Sequence, residues 1–135
     1  MSAFKLRHAA AAVLTAIVLG AASSAAYAEI RDYEFRLVKA EMKKGNAEVA
    51  VRLVNKKSGK AVPDAVIFAK RIDMAPDGME TMASPLEQLP STEPGVYRFK
   101  TELSMAAGRW QLSLGAKVQG ENGSVENKLV LRALP

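Results

Sequence analysis

Apolar and polar residues alternate with a period of two over most of this chain, and that pattern restricts its fold more than any other feature. "VYRFKTEL" from Val96 puts Tyr97, Phe99, Thr101 and Leu103 on one face, with Arg98, Lys100 and Glu102 on the other. "WQLSLGAKV" from Trp110 puts Trp110, Leu112, Leu114, Ala116 and Val118 inward. "EVAVRLV" repeats the pattern with Val49, Val51 and Leu53, and "VENKLVLRAL" repeats it with Val125, Leu129 and Leu131. Each stretch has the periodicity of a half-buried β-strand. An earlier stretch begins with Tyr33, Phe35 and Leu37 and changes phase to Val38, Ala40 and Met42, which predicts a bulge near residue 37 or 38. "AVIFA" at 65–69 is apolar on both faces and reads as a central strand.

The punctuation agrees with this reading. "KKGN" at 43–46 and "GENG" at 120–123 have hairpin-turn chemistry, and "KKSGKAVPD" and "STEPG" read as turns or short loops. The segment 73–92 holds Pro76, Pro85 and Pro90 without sustained alternation and reads as the one long irregular connection. Six or seven short strands with closely spaced turns predict an all-β, immunoglobulin-like antiparallel β-sandwich of about seven strands. Gly95-Val96-Tyr97 at a strand start resembles the region of a tyrosine corner, so the Tyr97 hydroxyl is expected to bond backbone at a loop.

The first 28 residues read differently. Lys5, Arg7 and His8 form a basic start, an apolar run of 11 residues extends from Ala9 to Leu19, and "AASSAAYA" ends with Ala26 and Ala28 in an A-x-A pattern. This is the layout of a secretory signal peptide cleaved after Ala28. The run falls short of the roughly 20 residues that a membrane-crossing helix needs, so no stable membrane insertion is expected after cleavage. The expectation is a signal peptide at 1–28, a single domain at 29–135 and a periplasmic location.

The residue inventory of 29–135 excludes much chemistry. The chain has no cysteine, and its one histidine is His8. Cys/His zinc sites, Cys–His pairs and Ser–His–Asp triads are therefore unavailable, and no enzyme activity is expected. Removing Lys5 and Arg7 takes the basic count from 19 to 17 against 14 acidic residues, a net charge of +3. The excess sits in "KK" at 43–44 and "KKSGK" at 56–60, both at turn positions. No aromatic residues interleave with these charges, so they read as solvated loop tips and no nucleic-acid partner is expected.

Five methionines remain: Met42, Met74, Met79, Met82 and Met105. Thioether sulfur is a soft ligand that selects Cu(I) over harder ions. Met79 and Met82 are spaced to meet across one helical turn. Met105, just before the "AAG" turn, could reach the same end of a sandwich as the 73–92 segment. Met74, Met79, Met82 and Met105 are thus candidate metal ligands, and core packing under a loop is the competing reading, since methionine fills irregular gaps. Asp73, Asp77 and Glu80 could hold a hard cation, yet the two aspartates fit equally well as turn formers around Pro76 and Gly78. Trp110, Tyr97, Phe99, Phe68, Phe35 and Tyr33 all fall on inward phases or in the central strand and are expected in the core.

"RIDMAPDGMETM", followed by "EPGVYRFKTELSMAAGRWQLSL", resembles the YtkA-like domain, which is related to the FixH family of exported or membrane-anchored bacterial proteins. The resemblance covers roughly residues 45 to 132. Its most specific part is Pro94, Gly95, Tyr97, Met105, Gly108 and Trp110. It implies a small immunoglobulin-like sandwich outside the inner membrane, associated with copper supply to oxidases or with cation efflux. The chain departs from the stronger metal-binding cases in having no histidine beside the methionines, and from FixH proteins in having no permanent anchor. The resulting expectation is a non-enzymatic periplasmic accessory protein that binds Cu(I) or another soft metal. Its partner would be a periplasmic or inner-membrane metal-transport or efflux component. The alternative is a protein-interaction module of an envelope or efflux complex without a metal site.

Overall fold

The computed structural model describes residues 29–135, and the features expected of residues 1–28 lie outside the described residues. Nine strands follow a short 3-10 turn at Ile30–Asp32: β1 (Tyr33–Leu37), β2 (Glu41–Lys43), β3 (Asn46–Asn55), β4 (Val66–Met74), β5 (Met79–Ser84), β6 (Leu86–Leu89), β7 (Val96–Glu102), β8 (Gly108–Lys117) and β9 (Val125–Leu134). They form two sheets, ordered β1-β3-β7-β6 and β2-β9-β8-β4-β5. The first order matches the A-B-E-D sheet of an immunoglobulin domain, and β9-β8-β4 matches G-F-C. All pairings are antiparallel except β2 with β9, which is parallel. Among the described residues no helix is long and apolar enough to cross a membrane.

The alternation in the sequence accounts for the core directly. Val49, Val51 and Leu53 from β3 and Tyr97 and Phe99 from β7 meet Trp110, Leu112, Leu114 and Ala116 from β8. Phe35, Leu131 and Leu103 complete the packing. Trp110 is fully enclosed, and its indole N–H donates to the Ala106 carbonyl at 3.2 Å. Phe35 and Tyr97 meet edge to face with ring centres 6.1 Å apart, a geometry that aromatic quadrupoles favour. Tyr33 is half-buried at the margin of this core.

The Tyr97 hydroxyl donates to the Val62 carbonyl at 2.8 Å and accepts the Ala65 N–H at 3.0 Å. Both partners lie in the connection before β4. The tyrosine therefore pins a loop that would otherwise leave backbone groups unpaired near the core. The contact stands on β7, the E-strand equivalent, whereas the tyrosine corner of immunoglobulin domains stands on F.

Four local expectations are corrected. The phase change after Leu37 is a change of sheet: β1 pairs with β3 in one sheet, and β2 pairs with β9 in the other. The crossing between sheets turns only Met42 toward the core, while Val38 and Ala40 are exposed on the way across, and the β1–β3 register runs without a bulge. Likewise "KKGN" joins strands of different sheets and closes no hairpin, whereas "GENG" does connect the paired strands β8 and β9. The segment 73–92 is mostly strand. It contains the end of β4, a 3-10 turn at Ala75–Asp77, and then β5 and β6. These are short edge strands with little buried surface, so burial imposes no alternation on them. Pro85 stands where the chain leaves one sheet for the other.

Phe68, expected in the core, is 55% exposed. The β4–β8 register slips between Ile67 and Ala69. The extra residue turns Phe68 outward, and its ring lies over Gly115 on the outer face of the sheet. β4 does run between β8 and β5, but β5 accompanies it only from Ile72 to Met74. Apolar character on both sides of "AVIFA" therefore reflects an exposed apolar patch and not double burial.

Replacing Tyr97 with phenylalanine removes one hydroxyl from two backbone partners. The expected loss is about 1–3 kcal/mol, read as a lower denaturant midpoint with an unchanged slope. An unchanged midpoint would mean that the loop is held by other contacts.

Candidate functional site

The five methionines gather at one end of the sandwich, and strand register brings them there. Met42 on β2 pairs with Ala133 on β9, which pairs in turn with Gly108 at the start of β8. The Met74 methyl lies 3.2 Å from where a β-carbon on Gly108 would stand. Met74 is the cross-strand partner of Met79. Met82 follows on β5 beside Ala83, the partner of Asp73, and Met105 lies in the connection from β7 to β8, three residues before Gly108. A bond of 2.7 Å from the Leu103 N–H to the Gly45 carbonyl ties that connection to the turn after β2.

Burial divides the set. Met74 is fully enclosed in the core at 0% exposure, and Met82 and Met42 are half-buried against the core. Met79 and Met105 are 37% and 52% exposed. Of the four candidate ligands, Met74 is thus a packing residue whose methyl fits against Gly108. Gly108 also has a φ of 137°, so a side chain there would be strained as well as crowded. Met79 and Met105 present thioethers to solvent, with Met82 between the two extremes. The helical meeting of Met79 and Met82 is replaced by extended β5 geometry.

The carboxylates of this end are occupied by structural bonds. Asp73 is buried; its Oδ1 accepts the Ala75 N–H at 2.9 Å and its Oδ2 accepts the Arg71 Nε–H at 2.7 Å. The Arg71 guanidinium also donates to the Glu80 carbonyl at 2.7 Å. Asp77 accepts the Arg109 backbone N–H at 2.9 Å and the Arg109 Nε–H at 2.8 Å, and Arg109 donates further to the Pro76 carbonyl at 2.8 Å. This clamp fastens the 3-10 turn to the start of β8. Both aspartates are therefore turn formers. Among the described residues no group of three or more His, Cys, Asp or Glu is placed to hold a metal ion. Sequence spacing gave no hint of Arg109, since the clamp joins residues 32 positions apart.

The Arg109 backbone N–H, and next its side chain, hold the Asp77 carboxyl below its usual value. A carboxylate with a lower pKa when folded stabilises the fold above its unfolded pKa of about 3.9, and that contribution is lost as pH falls below about 4. Asp77→Asn is expected to melt at a lower temperature than the parent at neutral pH and to lose less between pH 5 and pH 3. Parallel acid profiles would show that the clamp contributes no charge-dependent stability. Separately, Met74→Ala should cost about 2–5 kcal/mol by emptying a core position, while Met105→Ala should change stability by no more than about 0.5 kcal/mol. Equal losses in chemical denaturation would contradict this division between packing and exposed methionines.

No curated protein and no solved structure matches the chain. The YtkA-like family model matches residues 27–115, which takes in β1 through most of β8, the 3-10 turn clamped by Arg109, and Met74, Met79, Met82 and Met105. With its two-sheet fold and with that match over more than half its length, the chain belongs to the YtkA-like family.

Proposed function

We propose that this protein is a non-enzymatic accessory domain that works in the periplasm and takes up Cu(I), or another soft metal ion, at its methionine end. The observation that carries the reading is that strand register and chain connection place all five methionines of 29–135 at the same end of the sandwich, with Met79 and Met105 exposed there. Thioethers stay unprotonated at neutral pH and favour Cu(I), and the domain has no thiol or imidazole to compete for the ion. Met79, Met82 and Met105 are the proposed ligands, and the buried Met74, the cross-strand partner of Met79, packs in the core. The partner is a periplasmic or inner-membrane component of metal transport or efflux, in keeping with the FixH kinship that the sequence resemblance implies.

A second reading, a protein-interaction module without a metal, is favoured by the outward Phe68 and its neighbour Val66, which is 62% exposed.

Competition for Cu(I) between the purified protein and a chromophoric chelator tests the first reading. Met→Leu changes keep side-chain volume and cost less than about 1.5 kcal/mol each, so a variant with Met79, Met82 and Met105 all changed to leucine should remain folded. The parent is expected to withdraw Cu(I) from the chelator and the triple variant to lose that ability, while Met74→Leu retains it. Parent and triple variant competing equally poorly would end the metal reading.

A further inference from the structure

We propose that the outer face of the β4–β8–β9 sheet is a peptide-binding groove, which takes an extended acidic segment of a partner protein carrying a bulky apolar side chain. The inference is independent of the metal reading, because the groove lies toward the other end of β8 from the methionines.

The groove is built by a contrast in side-chain size. Its floor is Ser113 and Gly115 on β8; Ala69 and Arg71 on β4 form one wall, and Glu126 and Lys128 on β9 form the other. Its volume is ≈ 500 Å³, within the range of sites that enclose a few side chains. Phe68 stands beside the groove, next to its lining residues Ala69 and Gly115. A β-carbon on Gly115 would stand 3.1 Å from the Phe68 ring, so the glycine lets the ring lie close against the sheet with one side open to solvent. An aromatic turned outward by a strand irregularity and seated on a glycine, with the exposed Val66 beside it, forms a preorganised apolar anchor site.

The charge around the anchor selects the occupant. Arg71 is already engaged by Asp73 at 2.7 Å. Lys70 pairs with the core residue Leu114 and so stands on the other face of β4. Lys128 in the groove and Lys117 opposite Val66 make no ion pair among the described residues, and Lys117 Nζ donates only to the Gly123 carbonyl at 3.3 Å. Against these two lysines the groove offers one free carboxylate, Glu126. An extended chain alternates its side chains, so a peptide laid along β8 can seat an apolar residue against Phe68 and point flanking carboxylates at Lys117 and Lys128. A basic or wholly apolar segment would leave the lysines unanswered.

The test is an amide-shift titration of the intact protein by NMR with two capped pentapeptides, one alternating glutamate with leucine and one alternating lysine with leucine. Saturable shifts are expected at residues 68–71, 113–115 and 126–128 with the glutamate peptide alone, and added salt should weaken them. Phe68→Ser should weaken binding by about tenfold, the scale of a single interface anchor, and Lys117→Glu combined with Lys128→Glu should do the same or more. These residues are exposed, and the circular dichroism of each variant will show whether the fold is intact. Shifts equal for both peptides, shifts confined to other faces, or no shifts at millimolar peptide would overturn the proposal. It would also fall if the unliganded protein sediments as a dimer that Phe68→Ser converts to monomer, since the face would then be covered by a second copy.

Discussion

Two sheets without a covalent tie must be held together by the fit of their inner faces. The chain has no cysteine, so the disulfide that joins the two sheets of many immunoglobulin-like sandwiches is absent. Trp110 takes over part of that role. It sits on β8, in the middle of the larger sheet, and reaches the inner faces of β3 and β7 while its indole N–H is satisfied by Ala106. Polar groups on the inner side follow the same economy. Thr101 donates to the Pro85 carbonyl at 2.7 Å, and the Asn127 side chain accepts the Phe35 N–H at 2.8 Å. No buried side-chain nitrogen or oxygen among the described residues lacks a partner. Cohesion by packing alone requires this, because an unpaired buried polar group costs about as much as several buried methylenes contribute.

Once the core is closed, the ends and outer faces are free to differ. The methionine end is the less regular closure: β2, the 3-10 turn at Ala75–Asp77 and the β7–β8 connection converge there with few long alternating strands to fill the space. Methionine suits such a place because its three rotatable bonds adapt to uneven gaps. That accounts for Met74 and for the inner sides of Met42 and Met82. It does not account for Met79 and Met105, whose exposed positions fill no gap, and this residue of unexplained thioether is what the soft-metal reading takes up.

The strands that were legible in the sequence are those whose burial imposes alternation. β3, β7, β8 and β9 each have one face in the core, and their inward residues from Val49 to Leu131 were readable from spacing alone. β5 and β6 were not, because edge strands exposed on most sides are held by backbone pairing with β4 and β7, and backbone pairing leaves no mark on side-chain polarity. Phe68 was misplaced for a related reason: hydrophobicity does not distinguish a doubly buried strand from one with an apolar patch facing water. The candidate site was half legible. The chemistry of the methionines follows from residue type, and their gathering at one end depends on β2 and β5 pairings that local sequence does not encode. The Asp77–Arg109 clamp is a long-range contact of the same kind.

The two proposed surfaces share one strand. Gly108, against Met74, opens β8 at the methionine end, and Gly115, beneath Phe68, stands seven residues along it. At about 3.3 Å per residue the separation is roughly 23 Å, too far for a groove-bound pentapeptide to cover the thioethers. A partner seated on the outer face would therefore leave the methionine end open to solvent or to a second protein. Docking and ion transfer would then use different surfaces of one rigid sandwich. In such an arrangement the acidic segment sets which partner is approached, and the exposed thioethers set which ion is carried. Losing either surface should leave the other working, because β8 between them is fixed on both sides by its pairing with β4 and β9.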